Sequence, residues 1–323
     1  MSDRRDFMKT LGLGALSTLA LAGVARAQSA PALNTGTGKK IRIGIIGAEN
    51  SHTIGFGNIF NRDKKFPGVE VVAVWGETDE FARIAAEKGS IPRIVKQEKD
   101  LLGMVDAVIV DQRHAIYHVE SAIPFVEAGI PTFVDKPFAY RTYDAMHLVD
   151  LAQKHKTPIT CLSSAAFGPS MDDVTEQVQA IKDSINSLIV TGPADPTSKY
   201  GGIFFYGVHT VERMLNMLGE DCEAVRCTRN GKRTSFEFKF SSGHLVTYVL
   251  ARRWEQHAVT NDGLKTIAPR FESRDSDYMY AAIVKMFQTG EEPLTHARLI
   301  KQVSVLEAME RSVYSENWET LLV

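Results

Sequence analysis

The chain has 323 residues, of which 44% are apolar and 24% are charged, and its formal net charge is −2. A chain of this size and composition can bury one large or two medium hydrophobic cores. The near-neutral balance, without a basic tract, argues against nucleic acid and anionic membrane surfaces as partners, and three cysteines argue against a disulfide framework.

The first 27 residues have the organisation of a secretion signal. Arg4 and Arg5 in DRRDFMK precede an apolar run rich in Gly, Ala and Leu, and the small-residue triplet ARA follows. The run is shorter than the ~20 apolar residues that a membrane span needs. Paired arginines followed by x-F-M-K predict the twin-arginine route, which exports folded proteins, rather than a general secretory signal or an uncleaved anchor. We therefore predict a twin-arginine signal peptide at 1–27, a linker at 28–39 and a periplasmic location.

From Lys40 to Ser163, apolar runs of strand length alternate with helical patterns. The predicted strands read IRIGIIG, VEVVAVW, VDAVIVD, PTFVD and PITCLSS, and a short IPRIV follows the first helix. The predicted helices read DEFARIAAEKG, HVESAIPFVEAG and YDAMHLVDLAQKHK. Strands without strict alternation, each followed by a helix, predict a parallel sheet covered on both faces. We predict a Rossmann-like, doubly wound domain at 40–165 that binds a dinucleotide beyond the carboxyl ends of its strands.

The second half has a different pattern. A helix in MDDVTEQVQAIKD and a strand in SLIVTG lead to GGIFFYGVHTVERMLNMLG, whose later part has helical spacing. The strand-like runs CEAVRCT, TSFEFKF and HLVTYVLARRW follow, joined by short turns that predict antiparallel neighbours. Two helical stretches, 275–288 and 294–314, close the chain. We predict an α+β domain with an open antiparallel sheet at 166–323.

Two motifs resemble those of a known family. FVDKPFA is similar to the V-E-K-P-x-A motif of the glucose–fructose oxidoreductase, inositol dehydrogenase and MocA (Gfo/Idh/MocA) family. GGIFFYGVHTVE resembles the G-G-x-x-x-D-x-G-x-H-x-x-D segment of that family's second domain, and the likeness extends over nearly all of 40–315. The resemblance implies a Rossmann domain followed by a substrate domain that often forms the contact in a homo-oligomer. It also implies NAD(P)-linked hydride transfer on a sugar or polyol.

Carried onto this chain, the resemblance implies that Lys136 is the catalytic lysine and His209 the acid–base partner. An ammonium group at a strand end can stabilise a developing alkoxide, and an imidazole suits proton transfer near neutral pH. The alternatives are a surface lysine at a turn and a hydrogen-bonded core histidine. The residues predicted to bind NAD or NADP are Gly47, Ser51, His52, Glu77 and Lys136.

The phosphate loop departs from the family's pattern. Aligned on Gly47, the expected G-x-G-x-x-G reads G-A-E-N-S-H, so Glu49 and His52 replace two glycines. A carboxylate about 4 Å from a phosphate would oppose binding by roughly 4 kcal/mol at a surface-like dielectric. Gly76 stands where the ribose-binding acid is expected, and Glu77 is one place further on.

The second-domain motif departs too, because Phe205 replaces the family's aspartate, although Glu212 matches its later acid. Six polar groups are predicted near three strand ends: Glu49, His52, Asp111, His114, His118 and Asp135. They could bind a divalent metal or sugar hydroxyls, but no specific metal motif is present and no metal ligand is assigned. The alternative functions are an NAD-independent lyase, epimerase or hydrolase on carbohydrate and a non-enzymatic sugar-binding protein.

Overall fold

The computed structural model describes residues 40–231, 233–271 and 273–323. The predicted signal peptide and linker lie outside the described residues. Both sheets described below belong to one compact unit. None of the described helices has the length and apolar character that a membrane-spanning helix requires.

The first half forms a five-stranded parallel sheet in the order β2-β1-β3-β4-β5. Its strands are β1 (Ile41–Ile46), β2 (Val69–Trp75), β3 (Ala107–Val110), β4 (Thr132–Val134) and β5 (Ile159–Thr160). Its helices are α1 (Ser51–Gly57), α2 (Asp79–Gly89), α3 (His118–Glu127) and α4 (Thr142–His155). The strand order reverses between β1 and β3, and in such sheets the ligand crevice lies outside the strand ends at that point.

The helices begin and end where local chemistry requires. Asn50 accepts a hydrogen bond from the His52 N–H at the start of α1, and Thr78 accepts one from the Phe81 N–H at the start of α2. These side chains satisfy amide groups that have no partner within the helix. Helix α2 ends at Ser90 in a left-handed conformation. The predicted IPRIV strand is reduced to a single bridge between Val74 and Ile94.

The second half forms a seven-stranded sheet in the order β11-β10-β6-β9-β8-β7-β12. Its strands are β6 (Ile185–Gly192), β7 (Cys222–Asn230), β8 (Arg233–Phe240), β9 (Leu245–Leu250), β10 (Glu255–Thr260), β11 (Gly263–Ile267) and β12 (Trp318–Thr320). The prediction of an antiparallel sheet needs one correction, because β6 and β9 are parallel. The β7–β8 hairpin separates them in sequence, so β9 returns beside β6 in the same direction.

Four more helices complete the fold: α5 (Pro169–Gln179), α6 (Phe204–Leu218), α7 (Asp275–Thr289) and α8 (His296–Ser315). Helices α6 and α8 bury their apolar side chains in the same core as the second sheet. Helix α7 departs from the predicted grouping at 166–323. Its buried residues Met279, Ile283 and Phe287 belong to the core of the first sheet, together with Phe56 and Phe60. The two halves of the chain are thereby interlocked.

Candidate active site

Gly47 ends β1 where the backbone passes close to the end of β3. Its φ is +114°, and a Cβ there would lie 2.5 Å from the Gln112 nitrogen and 2.6 Å from the Asp111 carbonyl carbon. The first glycine of the fingerprint is therefore required by backbone conformation and by space. Ser51, the next predicted cofactor residue, is the exposed first residue of α1.

Glu77 occupies the place of the ribose-binding acid, although it is shifted by one position. One carboxylate oxygen accepts hydrogen bonds from the Ala48 N–H (2.8 Å) and the Glu49 N–H (3.0 Å). The other oxygen is buried and has no partner among the described residues. Gly76 cannot carry the acid, because a Cβ there would lie 2.8 Å from the Ala48 Cβ and 2.8 Å from the Ala82 nitrogen. Close packing thus explains the shift.

The Glu49 side chain reaches across to the second half of the chain. The Tyr200 hydroxyl donates a hydrogen bond of 2.6 Å to the carboxylate, and the Lys199 Nζ lies 4.0 Å away. The Arg113 guanidinium stacks on the Tyr200 ring, 4.3 Å from its centroid. The Glu49 side chain therefore occupies the space above the phosphate loop, and the cationic groups of Lys199 and Arg113 lie near it.

A cavity of about 800 Å³ lies between the two halves. The first half contributes His52, Asp135, Lys136 and Ser163, and the second half contributes His209, Arg213 and Trp254. Lys136 and His209, predicted from separate motifs, therefore face the same space. A second cavity of about 920 Å³ is lined by Trp75, Glu77 and Tyr117, together with Glu49.

Lys136 follows β4 and is almost completely buried, with 9% of its side chain exposed. Its Nζ lies 3.7 Å from a carboxylate oxygen of Asp135 and 5.7 Å from the centroid of the Phe205 ring. The Lys136–Pro137 peptide bond is cis. Phe205, which replaces the family's aspartate, thus covers the ammonium with an aromatic face instead of a carboxylate.

His209 lies on α6, and its Nδ1 is 2.6 Å from the Ser163 Oγ after β5. This contact fixes the ring and leaves Nε2 for a ligand. Burial, and secondly the charge of Lys136, lower the pKa of His209 to about 3. The imidazole is therefore neutral at physiological pH, so its free nitrogen can accept a hydrogen bond from a substrate hydroxyl, while the low pKa makes it a weak base in the empty site.

Glu212 lies one turn further along α6 and is buried. Neither carboxylate oxygen has a hydrogen-bond partner among the described residues. Burial raises the pKa of Glu212 to about 8, although the charge of Arg298 opposes this shift. The carboxyl group is therefore largely protonated at neutral pH.

Three of the six polar groups predicted at the strand ends come together. His52 Nδ1 lies 3.1 Å from an oxygen of Asp135 and 4.0 Å from an oxygen of Asp111. Asn50 Nδ2 donates hydrogen bonds to both carboxylates, at 2.9 Å and 3.1 Å. The negative charge of Asp135 raises the pKa of His52. Burial, and then the charge of Asp135, raise the pKa of Asp111 well above its ordinary value.

The other three groups lie elsewhere, so the six groups do not meet at one point. Glu49 bonds to Tyr200. His114 Nδ1 accepts a hydrogen bond from the Ile116 N–H, so it caps the short turn before α3. His118 is buried, and its two ring nitrogens face the carbonyl oxygens of Pro137 (2.9 Å) and Gln112 (2.7 Å). Both histidines are hydrogen-bonded to the backbone, because they lie at the start of a helix that packs against the sheet.

Several residues of the site were not predicted from the sequence. They are Asn50, Thr53, Ser163, Tyr200, Arg213 and Trp254. Ser163 follows β5 at the carboxyl edge of the sheet, and that position alone could have indicated it. Arg213 and Trp254 belong to the site through the packing of the second half on the first, which no local pattern reveals.

The comparisons with known proteins agree with this architecture. Residues 41–162 match the model of the Gfo/Idh/MocA oxidoreductase family, described as having an NAD-binding Rossmann fold. Over these residues, in the first half of the chain, the sequence is similar to that family. The match confirms the predicted family and, at the level of the family, the prediction of an NAD(P)-dependent oxidoreductase. Among curated proteins, none matches the sequence.

Solved structures share the fold over nearly the whole chain. Myo-inositol dehydrogenase from Lactobacillus casei, in complex with NAD(H) and myo-inositol, superposes with a TM-score of 0.75 at 14% identity, covering 88% of this chain and 97% of that chain. GenD2 from gentamicin A biosynthesis, in complex with NAD, gives 0.73 at 17% identity, covering 88% and 97%. Scyllo-inositol dehydrogenase from Lactobacillus casei gives 0.71 at 13% identity, covering 87% and 99%. These likenesses confirm the predicted fold class.

The residues of the site fit a dinucleotide at both ends. Glu77 lines the cavity beside Trp75, and its second carboxylate oxygen, which has no partner among the described residues, could accept a hydrogen bond from a ribose hydroxyl. The cavity that holds Lys136 has room for a nicotinamide ring and a substrate. Between these ends Glu49 occupies the space of the second glycine, so a bound pyrophosphate requires this side chain to move towards Lys199 and solvent.

Proposed function

We propose that the protein is an exported NAD(P)-linked oxidoreductase that acts on a sugar or polyol, with Lys136 and His209 as its catalytic groups. The observation that carries the proposal is the shared cavity. A buried ammonium group and a neutral imidazole, from different halves of the chain, face one space. That pair suits a substrate with a secondary hydroxyl group.

Each catalytic group has a distinct role. The Lys136 ammonium donates a hydrogen bond to the substrate oxygen and stabilises the alkoxide that develops on it. His209 Nε2 accepts the hydroxyl proton, while Ser163 holds the ring by its contact with Nδ1. The dinucleotide, when bound, would accept the hydride from the carbon that bears this hydroxyl group. Gly47, Ser51, His52, Glu77 and Lys136 are the residues that would hold it.

Substitution of the two catalytic groups tests the proposal. We expect Lys136→Met to lower the rate of polyol oxidation about a hundredfold to a thousandfold, because the alkoxide loses its donor. We expect His209→Ala to lower it about a hundredfold or more, with partial recovery at high pH, where hydroxide replaces the base. Lys285→Met and His244→Ala, at surface positions, are the matched controls. Wild-type rates in both site variants would remove these residues from the mechanism.

A second candidate is an NAD-independent lyase, epimerase or hydrolase on carbohydrate that uses the same two groups for proton transfer. The hydrogen bond between Glu49 and Tyr200, which closes the phosphate loop, favours it. Analysis of the purified protein distinguishes the two candidate functions. Dinucleotide released on denaturation, or a spectral change of added NAD with a polyol, supports the oxidoreductase. Turnover of a carbohydrate without any dinucleotide supports the second candidate.

We also propose that the protein is exported by the twin-arginine route and works in the periplasm as a homo-oligomer on a small carbohydrate. The support for export is the Arg4-Arg5 motif before the apolar run. Replacing both arginines by lysine should retain the protein in the cytoplasm, which cell fractionation measures. Unchanged export of that variant would contradict the route.

A further inference from the structure

A second set of chemical groups lies close to Lys136: His52 and Asp135 line the same cavity, and Asp111 is buried behind them. His52 from the first turn of α1, Asp111 after β3 and Asp135 after β4 each offer one ligand atom. These three atoms lie within 4.8 Å of one another. Three separate elements therefore deliver one imidazole and two carboxylates to one point.

The two carboxylates of this cluster are buried, and the permanent cation beside them is Lys136. Asp111 is fully buried, and its hydrogen-bond donors, Asn50 and Thr53, are neutral. Asp135 is 3% exposed and has both Lys136 and His52 beside it. When the imidazole of His52 binds a metal ion it is neutral, and the two buried carboxylates then share the single charge of Lys136. A buried carboxylate without a counter-charge costs several kcal/mol, so such a site favours a bound cation or a proton.

The donor set indicates the class of cation. One imidazole nitrogen and two carboxylate oxygens suit first-row divalent metals, whereas Ca²⁺ and Mg²⁺ prefer oxygen ligands alone. His52 is also the open side of the cluster, because 44% of its side chain is exposed and it lines the cavity. Three protein ligands with an accessible side leave room for a further ligand, as in catalytic metal sites.

We propose that His52, Asp111 and Asp135 form a binding site for one divalent transition-metal ion, of the Mn²⁺ or Zn²⁺ class, at the edge of the cavity that His52 and Asp135 line. The two carboxylates supply negative charge. The imidazole of His52 disfavours cations that prefer oxygen ligands alone. Lys136, 3.7 Å from Asp135, stays outside the ligand set and limits the positive charge that the site accepts. The open side faces the space shared with His209, where oxygen atoms of a carbohydrate can complete the coordination.

Binding of Mn²⁺ to the purified protein tests the proposal without substrate or dinucleotide, so its outcome is independent of the proposed function. The protein is stripped with a chelator and titrated with Mn²⁺, and the free ion is followed by electron paramagnetic resonance. We expect one ion per chain. His52→Ala and Asp111→Asn should each weaken binding roughly tenfold or more, because each removes a ligand.

Matched controls come from the opposite wall of the same cavity. His257→Ala and Asp275→Asn remove the same residue types there, and we expect them to leave Mn²⁺ affinity unchanged. Thermal unfolding separates a metal site from a structural ion pair. Mn²⁺ should raise the unfolding temperature of the wild type and of both controls, and should leave that of His52→Ala unchanged.

Three results would overturn the proposal. The first is the absence of saturable binding of both Mn²⁺ and Zn²⁺ to a folded wild-type chain. The second is binding that keeps its affinity in both ligand variants, which would mean an adventitious surface site. A loss of stability in His52→Ala that is the same with and without Mn²⁺ would assign the cluster to structure alone.

Discussion

Glu49 lines the cavity beside Trp75, next to the phosphate loop. Its side chain is 25% exposed, its carboxylate accepts a hydrogen bond from Tyr200, and Lys199 Nζ lies 4.0 Å from a carboxylate oxygen. Because an anion already lies above the loop, the cations beside it are engaged before any phosphate arrives. The Glu49 side chain therefore limits the affinity for a dinucleotide. Substitution of Glu49 is a direct test of cofactor binding.

Removal of the Glu49 charge should strengthen dinucleotide binding. We expect Glu49→Gly and Glu49→Gln to tighten NAD binding about tenfold, equal to about 1.4 kcal/mol, because repulsion of the pyrophosphate is relieved. Tyr200→Phe, which removes the hydrogen bond and keeps the charge, should have a smaller effect. Isothermal titration calorimetry measures all three. Unchanged or weaker affinity in both Glu49 variants would show that the carboxylate does not control the loop.

Glu212 makes stability depend on pH. The pKa of its carboxyl group is about 8 in the folded protein and near 4.5 in the unfolded chain, so the folded state binds more protons between these values. Its contribution to the free energy of unfolding is therefore retained at low pH and lost as pH rises through 8. His209, with its pKa lowered to about 3, has the opposite effect, because stability rises with pH up to about 6.5.

Glu212→Gln isolates the first of these effects. We expect the variant to gain stability relative to the wild type as pH increases from 5 to 8, by at most about 1.4 kcal/mol per pH unit. Urea unfolding at several pH values measures the difference, and Glu220→Gln, at a more exposed position, is the control. A difference that stays constant across this range would mean that Glu212 is ionised in the folded state.

Site residues that belong to a sequence motif were predicted from the sequence. Lys136 and His209 were predicted from FVDKPFA and from the G-x-H segment, and the structure places both on one cavity. Asn50 was not predicted, because its role depends on Asp111 and Asp135 lying on either side of it. Contacts of this kind join residues 61 and 85 positions apart, and only tertiary packing creates them.

At the scale of single elements, α4 begins with a cap supplied by another helix. Thr142, its first residue, donates from its N–H (2.8 Å) and its hydroxyl (2.6 Å) to one carboxylate oxygen of Glu307 on α8. Arg141 and Tyr140 bond to Glu310, one turn further along α8. The segment that leads from Lys136 into α4 is therefore fixed by the second half of the chain.

Loss of this cap should destabilise the protein. We expect Glu307→Ala to lower the free energy of unfolding by about 1–2 kcal/mol, because two buried donors at the start of α4 lose their acceptor. Thermal denaturation followed by circular dichroism measures the shift. Glu127→Ala, exposed near the end of α3, should change the unfolding temperature little. Equal shifts in the two variants would indicate a general effect of removing charge.

Elements with strong hydrophobic periodicity were predicted closely, and polar edge strands were not. Helix α2 spans the predicted stretch Asp79–Gly89, because a capping threonine and a terminal glycine mark both ends. Strands β10 and β11 were missed. In β11 four of the five residues are exposed, and Leu264 is 65% exposed, so no buried alternation marks it as a strand. It is held by pairing with β10 at the edge of the sheet.

On the outer face of the second sheet, strand β9 carries two partly exposed apolar side chains, with Thr247 between them. Along β9, Leu245 (49% exposed) and Val249 (39% exposed) alternate with the buried residues Val246 and Tyr248. A half-exposed apolar face on a broad sheet favours self-association. This is the surface on which we expect the homo-oligomer to form.

A charge placed on this face should separate the subunits. We expect Val249→Glu to give monomers, because a carboxylate would be buried without a partner in the contact. Size-exclusion chromatography with light scattering measures the mass, and Tyr143→Glu, which is highly exposed on α4, is the control. If the wild type is already a monomer, the expectation for this face is wrong.

The cavity between the halves also limits how the protein can be divided or recombined. Lys136 belongs to the first sheet, whereas His209 is carried by a helix on the second, and α7 returns to pack under the first. A chain cut between the halves would leave each fragment with one reactive group and an uncovered core. If the second half were exchanged with that of a relative, Lys136 would be kept and His209 would be replaced by the relative's residue. A single recombination event can therefore change which substrate is accepted.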